Sequence, residues 1–315
     1  MVANNSGKTI PNLLNRSHEV NGNIVTYRFG NGLIVKTEIF KKNDPQRILP
    51  LGGPQGTLMN FMLNSPEKIK GADVFEPFAG SGVLGLMALK IGAQTADFLD
   101  VNPRAKNFQE ENAHLNNFDP SRFHCYVEDL AAFKPERKYD LIFANPPFVP
   151  TPDGIDGTLT SNGGPEGNRL VEILINRLEH FLKPNGESFI YVFQMLRNGK
   201  PIVADIICKS VDRRHVEITS TQAKPIKFDV YYQSYLELFP QSEKDIREWG
   251  SKIIECYGKK VSLNHYVIHI GRQGNEPTSC SVLSNIEEKY GEGFLSQFDE
   301  KEFAKARISE NLLGP

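Results

Sequence analysis

Short apolar segments alternate with segments of helical periodicity from Gly71 to Phe193, and this alternation limits the possible folds more than any other feature of the chain. Strands and helices that alternate in this way are typical of βαβ units, whose strands form a mostly parallel sheet. The sequence therefore predicts an α/β fold of the Rossmann-like type. The predicted strands are Ala72–Glu76, Thr95–Asp100, Arg122–Val127, Asp140–Ala144, Glu187–Phe193, Val216–Ser220 and Ser262–Ile270.

Helix-end signals place two of the intervening helices. Asn102 followed by Pro103 has the chemistry of an N-cap with proline in the first turn. The segment Glu166–Leu182 carries an apolar stripe at spacings of three and four, formed by Leu170, Leu174, Leu178 and Phe181. The residues 183–186 (Lys-Pro-Asn-Gly) are predicted to end that helix.

The chain is predicted to have three parts. Two β-branched runs, Asn23–Tyr27 and Leu33–Thr37, flank a Gly-Asn-Gly turn and predict an N-terminal hairpin. A polar linker follows Gly271, and a helix is predicted around Asp299–Leu313. The expected parts are an N-terminal β-hairpin extension at 1–50, a main domain at 51–273 with an insertion at about 221–261, and a linker with a helical tail at 274–315.

Charge and cysteine usage exclude several functional classes. The 36 basic and 38 acidic side chains nearly cancel, so no overall field draws the chain to nucleic acid. The four cysteines form no Cys-x-x-Cys pair, which argues against a zinc ribbon or a disulfide scaffold. His265 and His269 fall on a predicted strand, so no metal site is expected there. Because the chain has no long apolar run, we expect a cytoplasmic protein with no membrane segment.

A glycine-rich loop follows the first predicted strand of the main domain. Phe78, Ala79, Gly80 and Gly82 lie between this strand and a helix, where small residues and free N–H groups allow a ligand to approach. The residues 80–85 also satisfy the dinucleotide pattern G-x-G-x-x-G, so a nicotinamide-dependent oxidoreductase is an alternative.

Glu76 at the end of that strand favours a different ligand. A carboxylate suits the cationic amino-acid end of S-adenosylmethionine better than a pyrophosphate, although a helix-capping role for Glu76 remains open. Asp100, which ends the second strand of the main domain, can accept hydrogen bonds from ribose hydroxyls of either cofactor. Asp129 follows the third strand, where we expect it either to contact the adenine or to cap the next segment.

The tetrad Asn145-Pro146-Pro147-Phe148 follows the fourth strand of the main domain. Functional groups collect at such strand ends, and two prolines stiffen the backbone there. We expect the Asn145 side-chain oxygen and the Pro146 carbonyl to accept the two hydrogens of a planar nitrogen. Phe148 is expected to stack on the group that carries this nitrogen.

The residues from about 71 to 193 resemble the class I methyltransferases that modify planar nitrogens, among them glutamine and nucleobase N-methyltransferases. The resemblance implies a sheet with an antiparallel last strand and S-adenosylmethionine as the cofactor. It implies that Glu76 and residues 78–82 bind the methionine part, Asp100 the ribose and Asp129 the adenine. Asn145, with Pro146, Pro147 and Phe148, would hold the acceptor beside the cofactor.

The methyl acceptor stays open at this level. The stretch Gly163–Gly167 resembles glutamine methyltransferases, whereas the loop after the first strand resembles enzymes that methylate amino groups of DNA and RNA. A protein glutamine, a nucleobase and a small metabolite are all compatible, as is a binding protein without catalysis, and no oligomeric state is predicted. We expect Val149–Asn168 to cover the substrate and most aromatics of Gln222–Lys260 to form a small core.

Overall fold

The computed structural model describes residues 16–40, 44–221, 224–283 and 300–310, and within them the predicted α/β fold is confirmed. The strands are β1 (Arg16–Asn21), β2 (Ile24–Phe29), β3 (Ile34–Glu38), β4 (Asp73–Pro77), β5 (Thr95–Asp100), β6 (Phe123–Val127), β7 (Tyr139–Ala144), β8 (Leu182–Arg197), β9 (Lys200–Pro201), β10 (Arg214–Ser220), β11 (Ile226–Lys227), β12 (Ser262–Gln273) and β13 (Ser279–Leu283). The helices are α1 (Gly53–Asn64), α2 (Pro66–Ile69), α3 (Val83–Ile91), α4 (Pro103–Leu115), α5 (Arg169–Asn176), α6 (Leu178–Phe181), α7 (Val203–Ser210), α8 (Phe228–Leu238), α9 (Glu243–Tyr257) and α10 (Glu300–Glu310).

The central sheet has the strand order β13-β10-β12-β8-β7-β4-β5-β6. Strand β12 is antiparallel to both of its neighbours, and the other strands of this path run in one direction. The antiparallel strand near the end of the chain was expected. The edge strand β13 was not expected, because its sequence Ser-Cys-Ser-Val-Leu carries no buried run and its pairing depends on the largely buried strand β10 beside it.

The N-terminal segment forms a three-stranded sheet, larger than the predicted hairpin. Strand β1 was missed because all six of its residues are exposed and show no apolar alternation. Helix α4 and its C-cap hold this sheet through two asparagines one turn apart, Asn112 within the helix and Asn116 at the C-cap. The Asn112 side chain accepts from the backbone N–H of Lys36 on β3 and donates to the Lys36 carbonyl. The Asn116 side chain makes the same two bonds with the backbone of Ile34, and all four distances are 2.6–3.0 Å.

The helix predicted over Glu166–Leu182 is shorter and divided in two. It begins at Arg169, because Gly167 has φ +78° and cannot continue a right-handed helix. It is interrupted at Arg177, whose guanidinium donates to the carbonyls of Leu130 and Phe133. The N-cap prediction for α4 is confirmed, since Asn102 Oδ1 accepts from the N–H of Arg104 at 3.0 Å.

Two large apolar cores cover the two faces of the central sheet. One of them includes the N-terminal sheet, α1, α3 and the buried aromatics of the segment before β12. In that segment Phe228, Tyr231, Tyr235 and Trp249 are buried as expected, but they join this large core instead of forming a small core of their own. Residues 222 and 223 of the predicted insertion lie outside the described residues, as do Asp299 and 311–313 of the predicted tail helix.

Neither a membrane span nor a metal cluster is found in the described residues. Their helices are too short or too polar to cross a membrane. Within the same ranges, three or more His, Cys, Asp or Glu side chains nowhere converge as a metal site would require. His265 and His269 both lie on β12, the strand predicted for them.

Candidate active site

The loop between β4 and α3 has an unusual backbone. Phe78, Gly80 and Gly82 all have positive φ angles, of 59°, 50° and 77°. A phenylalanine in this region is strained, and strained residues concentrate at ligand sites. The loop therefore curls back at the carboxyl end of β4 and leaves the first turn of α3 facing a cavity.

The glycine at position 85 brings α3 close to the sheet. A Cβ atom at Gly85 would lie 2.4 Å from the ring of Phe98 on β5. No side chain fits there, which explains the third glycine of the G-x-G-x-x-G pattern by helix packing. The pattern therefore does not discriminate between cofactors.

Glu76 caps helix α3. Its carboxylate accepts from the N–H of Leu84 at 3.2 Å and from that of Gly85 at 2.7 Å. These are the contacts of a helix cap, the role that the sequence left open beside cofactor binding. The side chain is 3% exposed and also borders the cavity. Burial raises the pKa of Glu76 to about 8, against the lowering effect of these two N–H donors.

We expect this carboxyl group to make stability depend on pH. Its pKa is raised in the folded chain, so the folded state holds one more proton than the unfolded state between about pH 5 and 8. The free energy of unfolding of the cofactor-free protein should therefore fall across this window, by an amount on the order of a few kcal/mol. Urea unfolding at pH 5.5 and 8.5 measures the fall.

Glu76→Gln should flatten this profile, because the amide does not ionise. The exposed Glu255→Gln serves as the control and should keep the wild-type slope. An equal slope in wild type and Glu76→Gln would refute the assignment of the proton to Glu76.

Asp100 and Asp129 lie where the sequence predicted, at the ends of β5 and β6. Asp100 accepts from the N–H of Gly80 at 2.8 Å and from that of Asn102 at 2.9 Å, which ties the glycine-rich loop to the next strand end. Burial raises the pKa of Asp100. Asp129 is exposed and accepts from the N–H of Ala131 at 2.8 Å. Both border the cavity and keep acceptor capacity toward it.

The cavity has a volume of about 450 Å³, which is suitable for a cofactor. The ionisable groups on its described walls are Arg169 and the carboxyl groups of Glu76, Asp100, Glu128 and Asp129, so acids outnumber bases even though Glu76 keeps its proton up to about pH 8. Such walls suit a cationic ligand and disfavour a pyrophosphate. The chemistry of this cavity therefore fits S-adenosylmethionine.

Sequence reasoning missed the side of this cavity that the N-terminal region provides. Ile48, Leu49 and Gln55 line it, and Asn102 Nδ2 holds the segment by donating to the Gln46 carbonyl at 2.7 Å. No local motif marks these residues, because their role follows from where the N-terminal sheet docks on α4.

Asn145 lies between this cofactor cavity and a second cavity of about 230 Å³, and it lines both. Its side-chain oxygen is buried and has no hydrogen-bond partner among the described residues. A buried acceptor without a donor costs about 1–3 kcal/mol. An N–H group in the second cavity would satisfy this oxygen.

The other members of the tetrad divide between the two cavities. Pro147 lines the cofactor cavity, whereas Pro146 and Phe148 line the second one. The Phe148 ring is 6% exposed and meets the rings of Tyr191 and His265 at centroid distances of 5.9 and 5.8 Å. Burial, and after it the charge of Arg307, hold the pKa of His265 well below its ordinary value.

The glycines that follow the tetrad pack against its backbone. A Cβ atom at Gly163 would lie 2.8 Å from the Phe148 carbonyl carbon, and one at Gly167 would lie 2.5 Å from the Phe148 carbonyl oxygen. The Val149 N–H donates to the Ser161 carbonyl at 2.8 Å, which closes the loop on itself. The stretch Gly163–Gly167 therefore fixes the position of the tetrad.

Helices α8 and α9 hold the loop that was predicted to cover the substrate. Tyr231 and Tyr235 on α8 donate their hydroxyls to the carbonyl of Pro150, at 3.1 and 2.8 Å. Trp249 on α9 donates to the carbonyl of Pro165 at 2.9 Å. The aromatic side chains of this insertion thus form a core and also anchor the loop.

Removal of both tyrosine hydroxyls should lower the free energy of unfolding by more than the sum of the two single removals. Either hydroxyl alone still satisfies the buried Pro150 carbonyl, so Tyr231→Phe or Tyr235→Phe should cost less than about 1 kcal/mol. The double variant leaves this carbonyl without either donor and should lose about 1–3 kcal/mol in urea unfolding. Tyr126→Phe is the control, and additive losses in the double variant would contradict the shared-acceptor interpretation.

Comparisons with known proteins identify the domain. The family model of the methyltransferase small domain matches residues 55–211. A protein of Methanocaldococcus jannaschii assigned as a protein N5-glutamine methyltransferase is 32% identical over 131 residues, which are 40% of this chain and 64% of that protein. The release factor glutamine methyltransferase of a Synechocystis strain is 29% identical over 152 residues, which are 44% of this chain and 49% of that enzyme.

A solved structure agrees with this assignment at the level of the fold. The S-adenosylmethionine-dependent methyltransferase of Agrobacterium tumefaciens superimposes with a TM-score of 0.50 at 13% identity, over 81% of this chain and 72% of that one. Residues 55–211, about half of the chain, therefore form a methyltransferase domain of class I, and the chain spans less than two thirds of the length of the two relatives named above. This confirms the predicted methyltransferase class and S-adenosylmethionine as the cofactor.

Proposed function

We propose that this chain transfers a methyl group from S-adenosylmethionine to the side-chain amide nitrogen of a glutamine in a protein or peptide. The observation that carries the proposal is the buried Asn145 oxygen between the two cavities, for which the described residues provide no hydrogen-bond donor. Two relatives named for glutamine methylation, and the glycines that pack against the tetrad, support glutamine over a nucleobase.

The cofactor cavity is proposed to hold S-adenosylmethionine, which supplies an electrophilic methyl group. In this proposal the loop from Phe78 to Gly82 and the Glu76 region face the methionine part, while Asp100 faces the ribose and Asp129 the adenine. The excess of acidic groups on the walls favours a cationic ligand. Each of these acids also holds the local backbone or borders the cavity, so its replacement should affect both binding and loop geometry.

The second cavity is proposed to hold the acceptor amide. Asn145 Oδ1 accepts one amide hydrogen and the Pro146 carbonyl accepts the other, which fixes the nitrogen and orients its lone pair toward the cofactor cavity. Phe148 packs along the planar amide. The stiff Pro-Pro backbone keeps these groups in place, and the proton is released after transfer, so no strong general base is required.

Transfer of labelled methyl groups to fractionated cell extract tests the proposal. Label should appear in protein, and digestion followed by mass spectrometry should locate it on glutamine side-chain nitrogen. Label in nucleic acid or in a small metabolite would overturn the glutamine assignment. Cofactor binding without any transfer would favour a role without catalysis.

A further inference from the structure

The C-terminal helix α10 contributes a side chain to the proposed acceptor cavity. Arg307 lines this cavity together with Asn145 and Phe148. It is 6% exposed, and its Cζ atom lies 5.9 Å from the centroid of the Phe148 ring. Arg307 therefore touches the tetrad, although it lies far beyond the matched domain at 55–211.

Helix α10 is anchored on the insertion through charge and apolar contacts. Lys301 and Lys305 place their ammonium groups 2.6 Å from the two carboxylate oxygens of Glu237 on α8. Ala304 and Ile308, on the face that also carries Arg307, are fully buried in the core. The position of Arg307 in the cavity is thus fixed by packing on both sides of it.

Arg307 is the one charged residue among the described residues that line this cavity. The remaining walls are apolar or carry uncharged groups such as those of Thr160 and Ser161. A guanidinium presents a rigid fork that binds a carboxylate through two parallel hydrogen bonds. With about 230 Å³, the cavity has room for small groups such as an amide and a nearby carboxylate rather than for a large ligand.

We infer that Arg307 selects a methyl acceptor that carries a carboxylate close to its amide nitrogen. This inference rests on the proposed amide methylation and names the acceptor more closely. The carboxylate belongs either to the acceptor glutamine itself, at the end of a chain, or to an acidic residue beside it. In both cases Arg307 binds the carboxylate while Asn145 holds the amide.

Three probes test the inference with the full chain and labelled S-adenosylmethionine. N-acetylglutamine carries its own carboxylate, its dimethylamide carries none, and an N-acetylglutaminyl-aspartate blocked at its C-terminus carries a neighbouring one. We expect kcat/KM for one of the two acidic probes to exceed that for the neutral probe by about 10- to 100-fold. The faster acidic probe identifies the source of the carboxylate.

Arg307→Gln should reduce the preference for an acidic probe over the neutral probe to within about threefold. The Kd of S-adenosylhomocysteine should stay unchanged, because the variant loses only a charged hydrogen-bond partner of the acceptor. Arg307→Lys should keep part of the preference. The exposed Arg213→Gln is the matched control and should keep all of it. A preference that survives in Arg307→Gln, or equal transfer to acidic and neutral probes, overturns the inference alone. Transfer to none of the probes, with cofactor bound, overturns the proposed function as well.

Discussion

Replacement of Asn145 by alanine is expected to lower kcat for methyl transfer by about 10²- to 10³-fold, the effect of removing one preorganised hydrogen-bonding group at a reacting centre. Its oxygen lies between the two cavities and has no partner within the described residues. The Kd of S-adenosylhomocysteine, measured by calorimetry, should change by less than about threefold, because the cofactor cavity keeps its acidic walls and its loop.

Stability distinguishes this role from a structural one. Truncation of a satisfied buried amide destabilises a protein, whereas removal of an unsatisfied acceptor relieves a cost of about 1–3 kcal/mol. Asn145→Ala should therefore unfold at the same urea concentration as the wild type or at a higher one. Asn145→Asp keeps an acceptor oxygen and should retain more turnover than the alanine variant. Full turnover in Asn145→Ala would remove this residue from the mechanism.

The second large effect is expected from Gly167→Ala. The added Cβ atom would stand 2.5 Å from the Phe148 carbonyl oxygen and 3.0 Å from Pro150 Cγ, so the backbone of the tetrad has to move. A displacement of about 1 Å at a reacting centre can cost about 100-fold in rate. We expect a loss of that size in kcat, with cofactor affinity largely kept, in single-turnover assays.

Gly199 provides the control for backbone strain. Its φ of +77° matches the +78° of Gly167, but a Cβ atom there meets nothing within 4 Å. The free energy of unfolding should therefore fall by the same amount, about 1–2 kcal/mol, in both alanine variants, because each places a Cβ atom on a left-handed backbone. Only Gly167→Ala should lose turnover. Equal losses of turnover in both variants would show that strain, rather than displacement of the tetrad, is responsible.

The strands of the central sheet could be predicted because each carries its own signal. Strands such as Tyr139–Ala144 are buried on both faces and appear as short apolar runs between helical periods. Strands β1 and β13 lack this signal, since their pairing is imposed by neighbouring strands and their own residues are largely exposed. The helix boundary at Arg169 was misplaced because the glycine turn before it is set by contacts with Phe148.

The same distinction applies to the candidate active site. Glu76, Asp100 and Asn145 stand at strand ends, where sequence position alone indicates which edge of the sheet they share. Their hydrogen bonds were less predictable, since the carboxylate of Glu76 satisfies the N–H groups of α3. Leu49, Gln55 and Arg307 reach the cavities only through the docking of distant segments, and no spacing within the sequence encodes that.

The two asparagines that bind β3 have a further consequence. Asn112 and Asn116 recognise the N-terminal sheet through its main chain, and the docked segment then carries Leu49 and Gln55 to the wall common to both cavities. At the other end of the chain, α10 brings Arg307 to the same wall region. If Arg307 selects the acceptor as inferred, a chimera that exchanges only residues 55–211 with a relative would take its cofactor loop and tetrad from that relative and keep the carboxylate preference of its own flank.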